Sequence, residues 1–203
     1  MYVFFASSLA FVLSVTFPFV YLRKKKQVIE GCKELLSEDD DEIIHSPVLS
    51  LSVISIATFV YYLSSDFVLF LFCSFLAITA YCDACKRWIP DLMIYLLIAI
   101  SVYSLNSKDL TMSLVAVVFY IIPAALLSVY GFLIKRESWI ASGDYYIFPA
   151  IGLMVAPEYA ACLMLVNLLL VLVFSRWVQK IPLVTVAYFT FTGCQTCILL
   201  GFI

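Results

Sequence analysis

Residues 67–90 read FVLFLFCSFLAITAYCDACKRWIP, and this stretch indicates the kind of fold. Residues 67–82 carry no charge, and their length approaches the roughly 20 apolar residues that a membrane-spanning helix requires. The apolar run ends at Asp83, and Lys86 and Arg87 follow at once. The stretch therefore predicts a transmembrane helix with a carboxylate and a basic pair at one end.

The composition of the whole chain has the same character. Its 203 residues are 65% hydrophobic and 13% charged, and the mean hydropathy is +1.07. A soluble domain is usually about 45–50% apolar and about 25% charged. These values exclude a soluble enzyme, a nucleic-acid-binding protein and a disordered chain as first interpretations. They predict an all-α, polytopic integral membrane protein that contacts the lipid bilayer and no nucleic acid.

Charge-free runs divide the chain into about eight predicted transmembrane helices. Most of these runs are long enough, or nearly long enough, to cross a membrane as a helix. Residues 145–157 reach it only if residues 138–143 join them, which would put Asp144 inside the helix. We see no linker or repeat, so residues 1–203 are predicted to form a single membrane domain. The runs are 1–22, 46–65, 67–82, 92–107, 110–134, 145–157, 159–175 and 181–203.

The basic residues predict the orientation of these spans. Eleven of the twelve Lys and Arg residues follow odd-numbered spans, and only Lys108 follows an even-numbered one. Because positively charged loops stay in the cytoplasm, the amino terminus is predicted to lie outside. Residues 1–22 have no basic residue before them and are predicted to be a retained anchor rather than a signal peptide. Residues 23–47 would form a short cytoplasmic loop, and residues 48–203 the helical bundle that carries any catalysis.

Two acidic residues, Asp83 and Asp144, differ from the other acids because apolar segments adjoin them. The predicted topology places both at the cytoplasmic ends of their spans. An ionisable group at membrane depth is costly and indicates a function. Two close carboxyl groups cannot both ionise cheaply, so one would keep a proton, as in aspartic proteases. The alternative is a pair of interface residues that cap helices or pair with nearby cations, and the spacing leaves both interpretations open.

The neighbours of these acids suggest how the backbone supports them. Gly143 is predicted to let the backbone approach a partner closely. Pro149 is predicted to kink or break the helix after Asp144, as a wet cavity in a membrane would allow. Pro90 is predicted to start the fourth span. The candidate hydrogen-bonding and charged neighbours of the acids are Tyr81, Tyr145, Tyr146, Lys86 and Arg87.

At these residues the sequence resembles the type IV prepilin leader peptidases, which are membrane aspartyl proteases with a Gly-x-Gly-Asp motif. The first family motif, an Asp before a basic stretch and Ile-Pro-Asn, corresponds to Asp83-Ala-Cys-Lys-Arg-Trp-Ile-Pro-Asp91. The second corresponds to Ala141-Ser142-Gly143-Asp144, with Gly152 at the offset of a later family glycine. A weaker match is Lys180-Ile181-Pro182 before the last span. The resemblance covers about residues 67–203, and the order of the motifs is more specific than any one of them.

The chain departs from the family pattern at three positions. Ala141 replaces the first glycine of the second motif, Asp91 replaces the Asn of the first, and Tyr146 stands where many members have Lys. None of these changes removes a carboxylate.

Cofactor expectations also follow from the resemblance. Larger members carry a zinc-binding insertion with two Cys-x-x-Cys pairs between the first two spans. This chain has only Cys32 there. Many members also methylate the new amino terminus, so S-adenosylmethionine is expected only if the short loop retains that activity.

Other metal patterns in the sequence are weak. Cys82-x-x-Cys85 and Cys194-x-x-Cys197 have the spacing of a four-thiolate zinc site. The predicted topology puts the two pairs at different depths, so we expect no metal. The single histidine, His45, lies in the loop of residues 23–47, which argues against a histidine metal site or a Ser-His triad.

The resemblance implies an aspartyl endopeptidase of the bacterial inner membrane. Its partner would be a type IV prepilin, whose basic leader it would cleave on the cytoplasmic side, with Asp83 and Asp144 as the catalytic pair. One alternative is a proton-coupled transporter, which the lack of charged residues at mid-depth disfavours. Another is a non-catalytic membrane subunit of a pilus or secretion assembly, which the changes at Ala141 and Asp91 favour. The oligomeric state and the acid and base roles stay open.

Overall fold

The chain folds as a bundle of α-helices, which confirms the predicted fold class. The computed structural model describes residues 2–31, 46–136, 140, 143–175 and 181–202, and no strand occurs in these ranges. Short 3-10 turns follow α4, at Leu105–Ser107, and precede α6, at Asp144–Tyr146. The helices are α1 (Tyr2–Gly31), α2 (Pro47–Ser64), α3 (Phe67–Lys86), α4 (Asp91–Ser104), α5 (Leu110–Lys135), α6 (Phe148–Met154), α7 (Pro157–Phe174) and α8 (Leu183–Leu199).

Four of the described helices are long and apolar enough to cross a membrane, namely α2, α3, α5 and α7. Helices α4 and α8 are apolar but shorter. Helix α6 has seven residues. At about 1.5 Å per residue it is far shorter than the roughly 30 Å of a bilayer core. The prediction of eight full spans is therefore not confirmed, since the only complete helix within residues 145–157 is the seven-residue α6. The outside amino terminus stays a prediction.

Prolines set the ends of α6 and its neighbours. Pro149 lies in the first turn of α6, where its missing N–H removes no intrahelical hydrogen bond. The predicted break therefore lies directly before α6, at the 3-10 turn. Pro157 opens α7, and only two residues separate it from Met154 at the end of α6. Pro90 is the N-cap of α4, in agreement with the prediction that it starts the fourth apolar segment. Proline thus confines α6 to a short segment between two breaks.

The helices alternate in direction, so the corners after α2, α4 and α6 lie at one end of the bundle with the end of α8. Residues from all four regions, among them Asp66 and Lys108, line one cavity of about 490 Å³. Lys108 Nζ donates to the Leu153 carbonyl at 3.1 Å, and Gln195 Nε2 donates to the Met154 carbonyl at 3.3 Å. Because the last carbonyls of a helix lack intrahelical donors, these side chains fix the end of α6.

Gly152 allows α6 to pack directly against the backbone of α5. A Cβ added at Gly152 would lie 2.8 Å from the Cα atom of Val117. A real Cβ does not tolerate so short a contact with backbone, so only glycine fits without movement of one helix. The glycine that the second motif singled out therefore has a packing role, eight residues from Asp144.

We expect Gly152→Ala to lower the free energy of unfolding by about 1–3 kcal/mol, the usual cost of overpacking, because α5 and α6 must separate. Gly193→Ala in α8 is the matched control, since a Cβ at Gly193 meets nothing within 4 Å. Thermal unfolding of both variants in detergent measures the difference. Equal melting of Gly152→Ala and Gly193→Ala would contradict the close packing of α6 on α5.

Candidate functional site

Asp83 lies in the last turn of α3 and is 4% exposed. The first turn of α8 faces its carboxylate. The backbone N–H of Thr185 donates to Asp83 Oδ2 at 3.1 Å, and the Thr185 hydroxyl lies 3.4 Å from the same oxygen. The first N–H groups of a helix have no intrahelical partner and form the positive end of its dipole. The fold therefore gives Asp83 a donor suited to a negative charge.

Asp144 begins the 3-10 turn before α6 and is 7% exposed. Within the described part of the chain its carboxyl group has no hydrogen-bond donor. Burial first, and the negative charge of Asp83 second, raise the pKa of Asp144 from its ordinary value of 3.8 to about 7. The structure thus places the two acids close enough for the charge of one to act on the other, as expected if both lie at the same depth in the membrane. At neutral pH a substantial share of Asp144 keeps its proton while facing a carboxylate.

Gly143 does not have the role that the sequence suggested. Its backbone is right-handed helical, with φ −62° and ψ −35°. An added Cβ would meet only the Ile89 Cδ1 atom, at 4.0 Å, among the described atoms. The expected close approach of backbone to a partner therefore does not occur among the described residues. Within the described part of the chain, Gly143 leaves open space next to Asp144.

The tyrosines near the acids have other surroundings than predicted. Tyr145 packs edge-on against Phe148, with ring centroids 5.4 Å apart, and Tyr146 is 61% exposed. Tyr81 precedes Asp83 by two residues, which turns it about 200° around α3. Its ring packs against α1 rather than α8. Among the described contacts, none of these three hydroxyls donates to either carboxyl group.

Lys86 and Arg87, the two basic residues after Asp83, have different neighbours. The Lys86 ammonium lies 5.4 Å from the ring centroid of Tyr21, which places it against α1. Arg87 ends α3 in a left-handed conformation at φ 50°, and its positive charge acts on Asp83. Of the two candidates, Arg87 is therefore the one that bears on the carboxylate. Asp91 lies exposed at the start of α4, where a negative charge suits the helix dipole.

Two buried polar residues in apolar runs were missed by the sequence analysis, Thr185 and Asn167. The Asn167 amide donates to the Tyr120 hydroxyl at 3.1 Å and accepts from the Thr190 hydroxyl at 2.5 Å. These bonds join α5, α7 and α8 inside the bundle. A lone polar residue in an apolar run was the available signal, because such residues often form hydrogen bonds between membrane helices.

The two cysteine pairs lie at different ends of the bundle. Cys82 and Cys85 adjoin Asp83, whereas Cys194 and Cys197 lie near the end of α8, beside the cavity at the opposite end. Residues 2–31, 46–136, 140, 143–175 and 181–202 contain no group of three or more His, Cys, Asp or Glu side chains placed to hold a metal. The predicted features at Cys32, His45, Ala141 and Lys180 lie outside the described residues.

Comparison with known families gives one match. The model of the type IV leader peptidase family matches residues 70–176, which is more than half of the chain. The matched region includes both buried acids and Gly152. Comparisons with curated proteins and with solved structures found no match.

The raised pKa of Asp144 predicts how stability depends on pH. Because the folded state binds this proton more tightly than the unfolded state, the free energy of unfolding should fall between about pH 4 and pH 7 and level off above it. Asp144→Asn cannot ionise and should reduce this slope. Denaturation followed by circular dichroism over this pH range measures it.

Asp109→Asn is the control for that experiment. Asp109 is an exposed N-cap whose Oδ1 accepts from the Thr111 N–H at 2.8 Å, and Asn caps helices about as well as Asp. Asp109→Asn should keep the native slope. The same slope in Asp144→Asn as in the native chain would contradict the assigned environment of Asp144.

Proposed function

The chain belongs to the type IV leader peptidase family, and from that membership we propose that it is an aspartic-type endopeptidase that cleaves the leader from type IV prepilins or pilin-like proteins. The observation that carries the proposal is the buried pair of Asp83 and Asp144, since the charge of one acts on the other. The family supplies the class of reaction, and the pair supplies groups able to perform it.

The proposed reaction needs one ionised and one protonated carboxyl group. The carboxylate takes a proton from a water molecule, whose oxygen attacks the carbonyl carbon of the scissile peptide bond. The protonated carboxyl group gives its proton to the carbonyl oxygen, which yields a neutral tetrahedral diol. Collapse of the diol breaks the C–N bond, and the proton taken from water passes to the leaving amine. One diol hydroxyl returns its proton to the carboxyl group that was the acid as the new C=O bond forms, so both groups regain their starting states. No covalent enzyme intermediate forms.

Access for water and peptide is supported by the segment around Asp144. Irregular backbone at membrane depth is tolerated where it lines a wet cavity or is buried in protein. The 3-10 turn at Asp144–Tyr146 is such a segment, and the Tyr146 side chain is exposed. The open space at Gly143 lies next to the carboxyl group. We propose that the backbone of the scissile segment occupies this space.

The position of the pair suggests which side of the membrane the substrate uses. Arg87 ends α3 beside the pair, and Lys135 and Arg136 end α5. Positive charge of this kind favours the cytoplasmic side. We propose that the substrate keeps its basic leader in the cytoplasm and its apolar helix in the bacterial inner membrane, with the scissile bond at the boundary. The acidic residues Glu38–Glu42, outside the described ranges, would attract the leader.

The direct test is cleavage in membranes. A type IV prepilin co-expressed with the native chain should lose its leader. Asp83→Asn and Asp144→Asn should each reduce cleavage by at least about 100-fold, because general acid–base groups contribute about 10²–10⁴-fold. Mass spectrometry of the product measures cleavage, and the added mass of a methyl group would show use of S-adenosylmethionine.

Asp91→Asn, at an exposed position outside the pair, is the control and should retain cleavage. Cleavage that survives Asp83→Asn or Asp144→Asn would refute the catalytic role of the pair. A native chain that inserts but leaves cognate prepilins intact would favour a non-catalytic membrane subunit.

A second test concerns the space at Gly143. Gly143→Ala should leave the melting temperature unchanged, because the backbone is helical and the Cβ meets no close neighbour. Cleavage should nevertheless fall, by about tenfold or more, since a misplaced reacting group is costly. Gly152→Ala should lower stability and cleavage together, so the two variants separate the roles. Native cleavage rates in Gly143→Ala would exclude this space as the path of the peptide.

A further inference from the structure

Thr185 joins α8 to the end of α3 through both its backbone and its side chain. Its N–H donates to Asp83 Oδ2 at 3.1 Å. Its hydroxyl donates to the Ala80 carbonyl at 2.8 Å and lies 3.4 Å from Asp83 Oδ2. Thr185 and Asp83 are both buried, so these contacts are shielded from water. One residue thus holds the first turn of α8 against the last turn of α3.

The two contacts of Thr185 have different roles. A hydroxyl has a single proton, and the shorter contact to the Ala80 carbonyl takes it. The hydroxyl therefore locks the position of α8 on the α3 backbone, one turn before Asp83. The N–H, at the shorter distance to the carboxylate, is the donor that acts on Asp83 itself.

The N–H of Thr185 is available because of its position in α8. The helix begins at Leu183, and its first backbone bond within the helix runs from the Val186 N–H to the Pro182 carbonyl at 3.3 Å. Thr185 precedes Val186 in the first turn, so its N–H has no acceptor within the helix. A donor at a helix N-terminus stabilises a carboxylate more than a neutral carboxyl group.

Asp144 lacks such support in the described part of the chain. It begins a three-residue turn, which has no appreciable dipole, and no described donor reaches its carboxyl group. The charges that act on the pair are also unequal. Arg87 acts on Asp83 and favours its ionised form, whereas Asp83 acts on Asp144 and favours its protonated form. Burial disfavours the ionised form of both acids, so the difference between them comes from the helix N-terminus at Asp83 and from these two charges.

We propose that Thr185 is a positioning residue that divides the roles of the pair, so that Asp83 holds the negative charge and Asp144 holds the proton. Asp83 is then the base that takes a proton from water, and Asp144 is the acid that protonates the scissile carbonyl oxygen. After this step Asp83 is neutral and Asp144 is ionised. Collapse of the diol passes the proton of Asp83 to the leaving amine, and Asp144 takes back a proton from a diol hydroxyl as the new C=O bond forms. The catalytic half rests on the proposed peptidase function, while the charge assignment concerns the resting protein.

The charge assignment can be measured without substrate. Infrared spectra of the chain with isotope-labelled aspartate distinguish a protonated carboxyl group from a carboxylate. Difference spectra against the double variant isolate the pair. Near neutral pH, the band of a buried protonated carboxyl group should disappear in Asp144→Asn. In Asp83→Asn it should persist at reduced intensity, because burial still favours the protonated form of Asp144 after the charge of Asp83 is lost. The opposite pattern would overturn the assignment.

The role of Thr185 can be measured by the pH profile of cleavage. Thr185→Ser keeps both donors and should behave as the native chain. Thr185→Pro removes the N–H together with the hydroxyl, in the first turn, where proline breaks no intrahelical bond, so its difference from Thr185→Val reports the N–H. The acidic limb of the pH profile of Thr185→Pro should move to higher pH by about one unit. At a pH below this limb the cleavage rate should therefore fall about tenfold, the size expected for loss of one hydrogen bond to a charged group. Thr185→Val removes only the hydroxyl and should give a smaller shift.

Thr192→Val is the control for this series. Thr192 lies in the same helix, is buried, and donates its hydroxyl to the Tyr188 carbonyl one turn earlier. Its profile should keep the native shape. A uniform loss of rate in Thr185→Pro and Thr185→Val, with the acidic limb unmoved, would mean that Thr185 only stabilises the fold. If the native chain cleaves no prepilin, the proposed function fails, and the infrared experiment still decides where the proton lies.

Discussion

The contact between the first turn of α8 and the carboxylate of Asp83 is the interaction on which the rest of the site depends. A carboxylate with 4% exposure at the end of a membrane helix is costly unless hydrogen bonds replace its lost water. The Thr185 N–H supplies such a bond, and the Thr185 hydroxyl fixes α8 to the α3 backbone. This arrangement lets the fold keep a buried negative charge, and that charge in turn acts on Asp144.

The second half of the site depends on how a helix of seven residues is held in place. Gly152 lets α6 lie directly against α5, and Lys108 and Gln195 bind the carbonyls at its far end. Because α6 is fixed along its length and at its end, the turn that carries Asp144 has a defined position. The hydrogen bonds of Asn167 join α5, α7 and α8 around it and hold the bundle that α6 packs into.

Several residues of the two motifs have roles that their position in the sequence did not reveal. Gly152 was a secondary feature of the second motif, yet a side chain there would collide with the backbone of α5, which is not so at Gly143 or Gly193 among the described atoms. Gly143 lies beside Asp144, but its backbone is ordinary and its surroundings are open. Lys86 and Arg87 are adjacent, but a left-handed residue at the helix end sends them to different neighbours. Motif membership indicates that a residue matters, whereas its role follows from what surrounds it.

The sequence by itself determined the helical membrane class, the ends of most helices and the two acids that the fold buries together. These properties are local, since they depend on runs of apolar residues, on the placement of prolines and on charges beside a span. Only the tertiary structure decided that α6 is too short to cross, that Gly152 meets α5, and that Thr185 binds Asp83. Thr185 and Asp83 are 102 residues apart, and no periodicity or charge pattern links them. Their contact exists because α3 and α8 pack side by side in opposite directions, and that choice is made by packing between helices distant in the sequence.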